Sequence, residues 1–145
     1  MWLLSDLKGL PMKTLPIVWQ RLVSAQGSTC PRCHSTGEEV QLAVAKLQQV
    51  LAPLGVEPQL QIHEIDEATF MQDTLRSNQI LINGQPMEHW LGGQTGSSRC
   101  CNECGDNECR TVEVDGQVRE AIPQELLVRA GLIAATRMLD PTLPA

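Results

Sequence analysis

Thiols carry the chemistry that is most directly legible in this chain. Cys30 and Cys33 stand three positions apart in Thr29-Cys30-Pro31-Arg32-Cys33-His34-Ser35-Thr36. The other four cysteines crowd into Cys100-Cys101-Asn102-Glu103-Cys104-Gly105-Asp106-Asn107-Glu108-Cys109. A deprotonated cysteine is both the nucleophile of disulfide exchange and a ligand for soft metals, so each segment is open to either chemistry. The first pair falls between a β-branched run and a helical pattern. The first turn of a helix leaves N–H groups without internal partners and carries partial positive charge, which favours an anionic sulfur. Arg32 adds a full charge between the two sulfurs. In a redox role Cys30 attacks and Cys33 resolves the mixed disulfide.

Cys101 and Cys104 have chelate spacing, and Cys100 and Cys109 bring the second segment to four thiols. Four sulfurs can close a tetrahedral zinc site, although adjacent Cys100 and Cys101 rarely ligate one ion without strain. Gly105 and Asp106 permit the tight turn of such a knuckle. So polar a run has little core of its own. A metal, an internal disulfide or packing against the Cys30–Cys33 segment would each hold it. A site shared by both pairs is similar to a zinc ribbon, but the 67 residues from His34 to Cys100 exceed the usual spacer. His34, beside Cys33, reads either as a ligand or as a solvated side chain, whereas His63 and His89 read as structural. No Ser–His–Asp arrangement, phosphate loop or dinucleotide fingerprint is present.

Positioning these groups takes a sheet and helices. Residues 15–23 form a β-branched run with Ile17 and Trp19 on one side and Val18 and Leu22 on the other, as in a strand covered on both faces. A helix is expected from about 37 to 54, capped by Ser35 or Thr36, with Glu38 or Glu39 completing a capping box. Val40, Val44, Leu47, Leu51 and Leu54 make its apolar stripe. Residues 59–65 suit an edge strand, and Asp66 caps a short helix carrying Ala68, Met71 and Leu75. Ile80-Leu81-Ile82-Asn83-Gly84-Gln85-Pro86 is a strand, a hairpin turn and an edge strand. Residues 92–98 read as a flexible link. Residues 111–114 and 117–120 flank an Asp115-Gly116 turn, and Pro123 opens a helix to about Met138 that buries Leu126, Leu127, Ala130, Ile133 and Ala134.

The chain of 145 residues, 42% hydrophobic and 19% charged, has the size and composition for one modest core. One phenylalanine and no tyrosine leave that core aliphatic apart from Trp2, Trp19 and Trp90. A net charge of −6 without a basic patch argues against nucleic acid and against a membrane surface as partners. The N-terminus has no signal-peptide pattern and no segment has the length to span a bilayer. A cytoplasmic location is therefore expected, where thiols stay reduced unless catalytic or metal-bound. Residues 12–138 are expected to form a single domain, with 1–11 an extension, Met12 an alternative start and 92–110 a cysteine-rich insertion.

A strand, CxxC and a helix in succession are a thioredoxin-like signal when the neighbouring segments fit. The order β-α-β-α-β-β fits. The expected fold is α/β, a thioredoxin-like four-stranded mixed sheet with flanking helices, extended by the Cys-rich loop, an extra β-hairpin and a C-terminal helix. Trp19-Gln20-Arg21-Leu22, Cys30-Pro31-Arg32-Cys33, the run from Ile80 to Pro86, and Cys100-Cys101-x-x-Cys104-Gly105-Asp106-x-x-Cys109-Arg110-Thr111-Val112-Glu113-Val114 carry a family resemblance. Together they resemble small prokaryotic proteins described as thioredoxin-like domains of unknown function, from Met12 to about residue 135. The resemblance implies the fold and supplies no substrate.

Thioredoxins place a cis-proline before the third strand, where this chain has Ser77-Asn78-Gln79. A cis bond without proline costs ~3–4 kcal/mol, so a trans peptide is expected there. The missing ring leaves room beside Cys30 and Cys33, and the Asn78 amide can donate to a thiolate. That departure weakens the inference to a general protein-disulfide reductase. Two functions stay open. One is thiol–disulfide exchange at Cys30 and Cys33 with a thiol or disulfide partner protein, supported by Arg32 and Asn78, which would make the chain an oxidoreductase. The other is a non-enzymatic carrier or sensor of zinc or another thiophilic metal or metalloid, with Cys100, Cys101, Cys104 and Cys109 as ligands.

Overall fold

The β-branched run before the first thiol pair forms strand β1 (Lys13–Leu22) in the computed structural model, which describes residues 12–23, 31–99 and 108–143. Leu15, Ile17 and Trp19 are buried on one face. On the other face Leu22 is buried as expected, while Val18 and Gln20 are only half-covered, so burial there is partial. β1 pairs in parallel with β2 (Val56–Ile65), from Lys13 opposite Val56 to Leu22 opposite Ile65. Between them run α1 (Pro31–Leu51) and a 3-10 turn, Ala52–Leu54, which ends at Gly55 with φ of 73°. β3 (Gln79–Ile82) lies antiparallel on the other side of β1. Positive φ at Asn83 and Gly84 returns the chain to β4 (Gln85–Pro86). The result is a mixed four-stranded sheet in the order β2-β1-β3-β4, with the two strands expected at edges found there.

Helix α1 begins at Pro31, not near Gly37, because a proline at the first helical position gives up no hydrogen bond. Ser35 and Thr36 are therefore interior and do not cap it. Thr36 is fully buried and accepts the Ile122 N–H at 3.0 Å, while Glu39 Oε2 accepts the Gln124 N–H at 2.8 Å. The polar residues expected to open α1 thus satisfy the start of α4 (Gln124–Leu139), whose own N-cap, Pro123, has no side-chain acceptor. The two helices run parallel. The offset that joins Glu39 to Gln124 also sets Gly131 against Leu47, where an added Cβ would lie 2.7 Å from Leu47 Cδ1. Gly37 lets α1 approach β1 in the same way, since a Cβ there would lie 2.6 Å from the Trp19 ring.

Val40, Ala43, Val44, Leu47 and Leu51 form the buried face of α1. Leu54 was expected in that stripe but is 53% exposed, because the tighter 3-10 turn takes it off the helical period. On α4, Leu126, Leu127, Ala130 and Ala134 are buried as expected; Ile133 is half-buried because Gly131 and Ala135 take the inward positions. Helix α2 (Glu67–Gln72) is capped by Asp66, whose Oδ1 accepts the Thr69 N–H at 2.7 Å. It buries Phe70, whereas Ala68 and Met71 face solvent. A single short turn and a half points one large residue inward, and the aromatic one occupies that place.

Residues 92–98 are not a link. Most of them belong to β5 (Gln94–Arg99), which pairs antiparallel with β6 (Glu108–Val114); β6 pairs in turn with β7 (Gln117–Arg119), making a second sheet. Backbone pairing holds a strand here that polar side chains do not announce. β6 is buried on both faces, with Cys109 and Thr111 on one and Arg110, Val112 and Val114 on the other. The single-turn helix α3 (Met87–Trp90) precedes this sheet, and its Trp90 Nε1 donates to Ile82 O at 2.8 Å. Among the described residues no helix is long and apolar enough to cross a membrane.

Candidate functional site

Cys33 lies in the first turn of α1 with its side chain buried. Its Sγ is 3.6 Å from the Ser77 hydroxyl, hydrogen-bonding distance for sulfur. Ser77 is buried too, in the turn that feeds β3. A helix start and a hydroxyl therefore meet at one sulfur, and both stabilise negative charge. Cys30 immediately precedes α1 and lies outside the described residues, as do Cys100, Cys101 and Cys104. Arg32 is in the first turn of α1, between the two thiol positions.

Asn78 follows Ser77 with φ of 59°, a left-handed conformation that Asn adopts more readily than most residues. The described peptide bonds are all trans. The Asn78 side chain is 2% exposed; its Oδ1 accepts from Trp19 Nε1 at 3.1 Å and its Nδ2 donates to Glu120 O at 3.2 Å. Ser77, and not Asn78, is the residue of this turn that reaches Cys33. Asn78, expected to donate to a thiolate, is a strut between β1 and the segment after β7.

The turn before β3 is also braced from the second sheet. Arg110 Nη1 donates to Leu75 O at 2.9 Å, and Nη2 lies 2.7 Å from Glu88 Oε2. Thr95 Oγ1 donates to the same Glu88 oxygen at 2.7 Å and accepts from Arg110 Nη2 at 3.2 Å. The Arg110 and Glu88 side chains are 6% and 3% exposed, so the pair is shut away from water. On the neighbouring strand Ser98, opposite Cys109, donates to Glu120 Oε1 at 3.4 Å, and the Glu120 carbonyl holds Asn78. Cys109 is buried next to Arg110. The base of the second cysteine segment and the Cys33 site therefore meet at one turn. Among the described residues, no group of three or more His, Cys, Asp or Glu is placed to hold a metal ion.

Outside, a cleft of about 230 Å³ lies between α1 and strands β1 and β2, lined by Trp19, Arg21, His34, Gly37, Glu38, Gln41 and Ile62. Arg21 lies over the Trp19 ring at 5.5 Å from its centroid and pairs with Glu64 at 2.7 Å; His34 lies 3.1 Å from Glu38. His63 and His89 are exposed. Sequence reasoning missed Ser77, Glu88, Thr95 and Arg110. One signal was available: Arg110 alternates with Val112 and Val114, so a charge occupies an inward register position, and a buried charge needs a partner.

A family described as a domain of unknown function (DUF2703) matches residues 15–131. An uncharacterized protein of Archaeoglobus fulgidus is 42% identical over 113 residues, which cover 78% of this chain and 82% of that protein. No solved structure matches. The matched span contains Ser77, Arg110 and both thiol segments.

Proposed function

The chain belongs to the DUF2703 family, and we propose that it is a thiol–disulfide exchange protein of thioredoxin-like fold, reacting through Cys30 and Cys33. The sheet order, the parallel β1–α1–β2 unit and the antiparallel β3–β4 pair support that fold. The observation that carries the chemistry is the buried Cys33 sulfur, at a helix start and 3.6 Å from the Ser77 hydroxyl. A helix start and a neighbouring hydroxyl favour the thiolate that Cys33 must form when it resolves a mixed disulfide.

The Cys30 thiolate attacks one sulfur of a partner disulfide. A new S–S bond joins Cys30 to that sulfur, and the partner's other sulfur leaves as a thiolate. Cys33 gives up its proton and attacks Cys30 Sγ, which breaks the mixed bond and frees the second partner thiolate. The partner has gained two electrons, and Cys30–Cys33 is oxidised to a disulfide. A second dithiol reduces it by the reverse sequence. Arg32 supports the Cys30 thiolate by its charge.

Equilibration with glutathione buffers, read by differential alkylation and mass spectrometry, is expected to give a reversible Cys30–Cys33 disulfide. Cys33→Ser should leave Cys30 in an unresolved mixed disulfide with glutathione. Stoichiometric zinc in anaerobically purified protein, lost on Cys30→Ser or Cys33→Ser, would overturn this reading in favour of a thiolate metal carrier.

A further inference from the structure

We infer that Arg110, held by Glu88 and Thr95, is a positioning residue for Cys33 that acts through the Leu75–Ser77 turn; this deepens the thiol-exchange reading and rests on it. Arg110 lies on the central strand of the second sheet, yet one arm of its guanidinium reaches Leu75 O at 2.9 Å. The other arm is fixed by Glu88 Oε2 at 2.7 Å. A buried ion pair is a poor device for stability alone, because a well-packed apolar pair serves as well or better. An apolar pair has no donor for Leu75 O. The planar fork of arginine fills both places at once, which a lysine ammonium does not.

The turn needs that donor. Its own bonds, Arg76 N–H to Asp73 O at 3.2 Å, Ser77 N–H to Thr74 O at 3.3 Å and Leu75 N–H to the Asp73 carboxylate at 3.1 Å, leave the Leu75 carbonyl to Arg110. Downstream, Asn78 is tied to Trp19 and to Glu120 O. Ser77 lies between the two anchors, and its hydroxyl is 3.6 Å from Cys33 Sγ. Releasing Leu75 O frees one end of the segment that carries this hydroxyl. The second sheet therefore sets how firmly Ser77 supports the Cys33 thiolate, and the strand bearing Cys109 is mechanically part of the thiol site.

The test is a double-mutant cycle on the dithiol–disulfide equilibrium of Cys30 and Cys33 with glutathione. Ser77→Ala removes the donor and should shift the equilibrium toward the disulfide by about three- to tenfold, the range of one net hydrogen bond. Tenfold corresponds to about 30 mV for a two-electron couple. Arg110→Lys keeps a cation beside Glu88 and loses the arm to Leu75; it should shift the equilibrium the same way. In the Ser77→Ala background Arg110→Lys should add nothing, because its effect passes through Ser77. Glu88→Gln, which loosens the same arm, should repeat the pattern and stands in if Arg110→Lys does not fold. Additive shifts, or no shift on Arg110→Lys or Glu88→Gln, would overturn the inference. A wild-type pair that never equilibrates with glutathione refutes the thiol-exchange reading instead. In that case the cycle is read on the alkylation rate of Cys33 in reduced protein, where non-additivity again supports the positioning role and additivity sinks it.

Discussion

Replacing Thr36 with valine tests how α1 is joined to α4. Thr36 is fully buried, and its hydroxyl is the acceptor given to the buried Ile122 N–H, at 3.0 Å. Valine has nearly the same shape but no acceptor. Leaving a buried N–H unsatisfied costs about 1–3 kcal/mol, and the added methyl returns about 0.8 kcal/mol, so a net loss of up to about 2 kcal/mol is expected. For a chain of this size that is a fall in melting temperature of up to about 8 °C. Thr36→Ser keeps the acceptor and loses only a methyl, about 0.5–1.5 kcal/mol by analogy with other single-methyl deletions. Melting alone does not separate the two variants, but amide exchange does. In Thr36→Val the Ile122 amide should exchange faster while amides 36–39 keep their protection; in Thr36→Ser both should stay protected. If Thr36 instead capped its own helix, Thr36→Val would loosen amides 36–39. A Thr36→Val protein with wild-type stability and a protected Ile122 amide would refute the bridging role.

The contact between Leu47 and Gly131 supports a size swap. Leu47→Ala should cost about 2–5 kcal/mol through a cavity, Gly131→Ala should cost about 1–3 kcal/mol through overpacking less about 1 kcal/mol of helix propensity, and in denaturant unfolding the double variant should lose less than the sum. Additive losses would place the two residues out of contact. The Thr69 N–H and hydroxyl hold the Asp66 carboxyl below its ordinary value of 3.8. A lowered folded-state value means that the cap's contribution is complete above the unfolded value and lost as pH falls through the folded one. The stability gap between wild type and Asp66→Ala should therefore narrow as the pH is taken from 6 toward 3; a constant gap would remove Asp66 from the acid side of the stability profile.

Much of the thiol-bearing sheet was legible because its signals are local. The alternation in residues 15–22, the Asn83-Gly84 and Asp115-Gly116 turns and the Asp66 cap each depend on neighbours a few positions away, and each appears in the structure. The start of α1 was misplaced for a related reason: Ser35, Thr36, Glu38 and Glu39 carry a valid capping pattern, but Thr36 and Glu39 are spent on Ile122 and Gln124, more than eighty residues away. β5 was invisible because its polar run, Gln94-Thr95-Gly96-Ser97-Ser98-Arg99, is held by pairing with β6 and not by an apolar face.

From the residues alone one reads where the thiols stand, that Cys30 and Cys33 come just ahead of a long helix, and that an α/β sheet with its helices surrounds them. These follow from residue type and short-range periodicity, which act before the chain folds. That Ser77 rather than Asn78 meets the Cys33 sulfur is settled by packing between distant segments. Ser77 and Asn78 are adjacent and both polar, and nothing within a few residues of either tells that Ser77 turns to the sulfur while Asn78 turns to Trp19 and Glu120. That choice is made by Arg110, Trp19 and Glu120, which arrive from three distant segments. A buried polar group takes the partner that packing delivers, because leaving it without one costs more than any local preference.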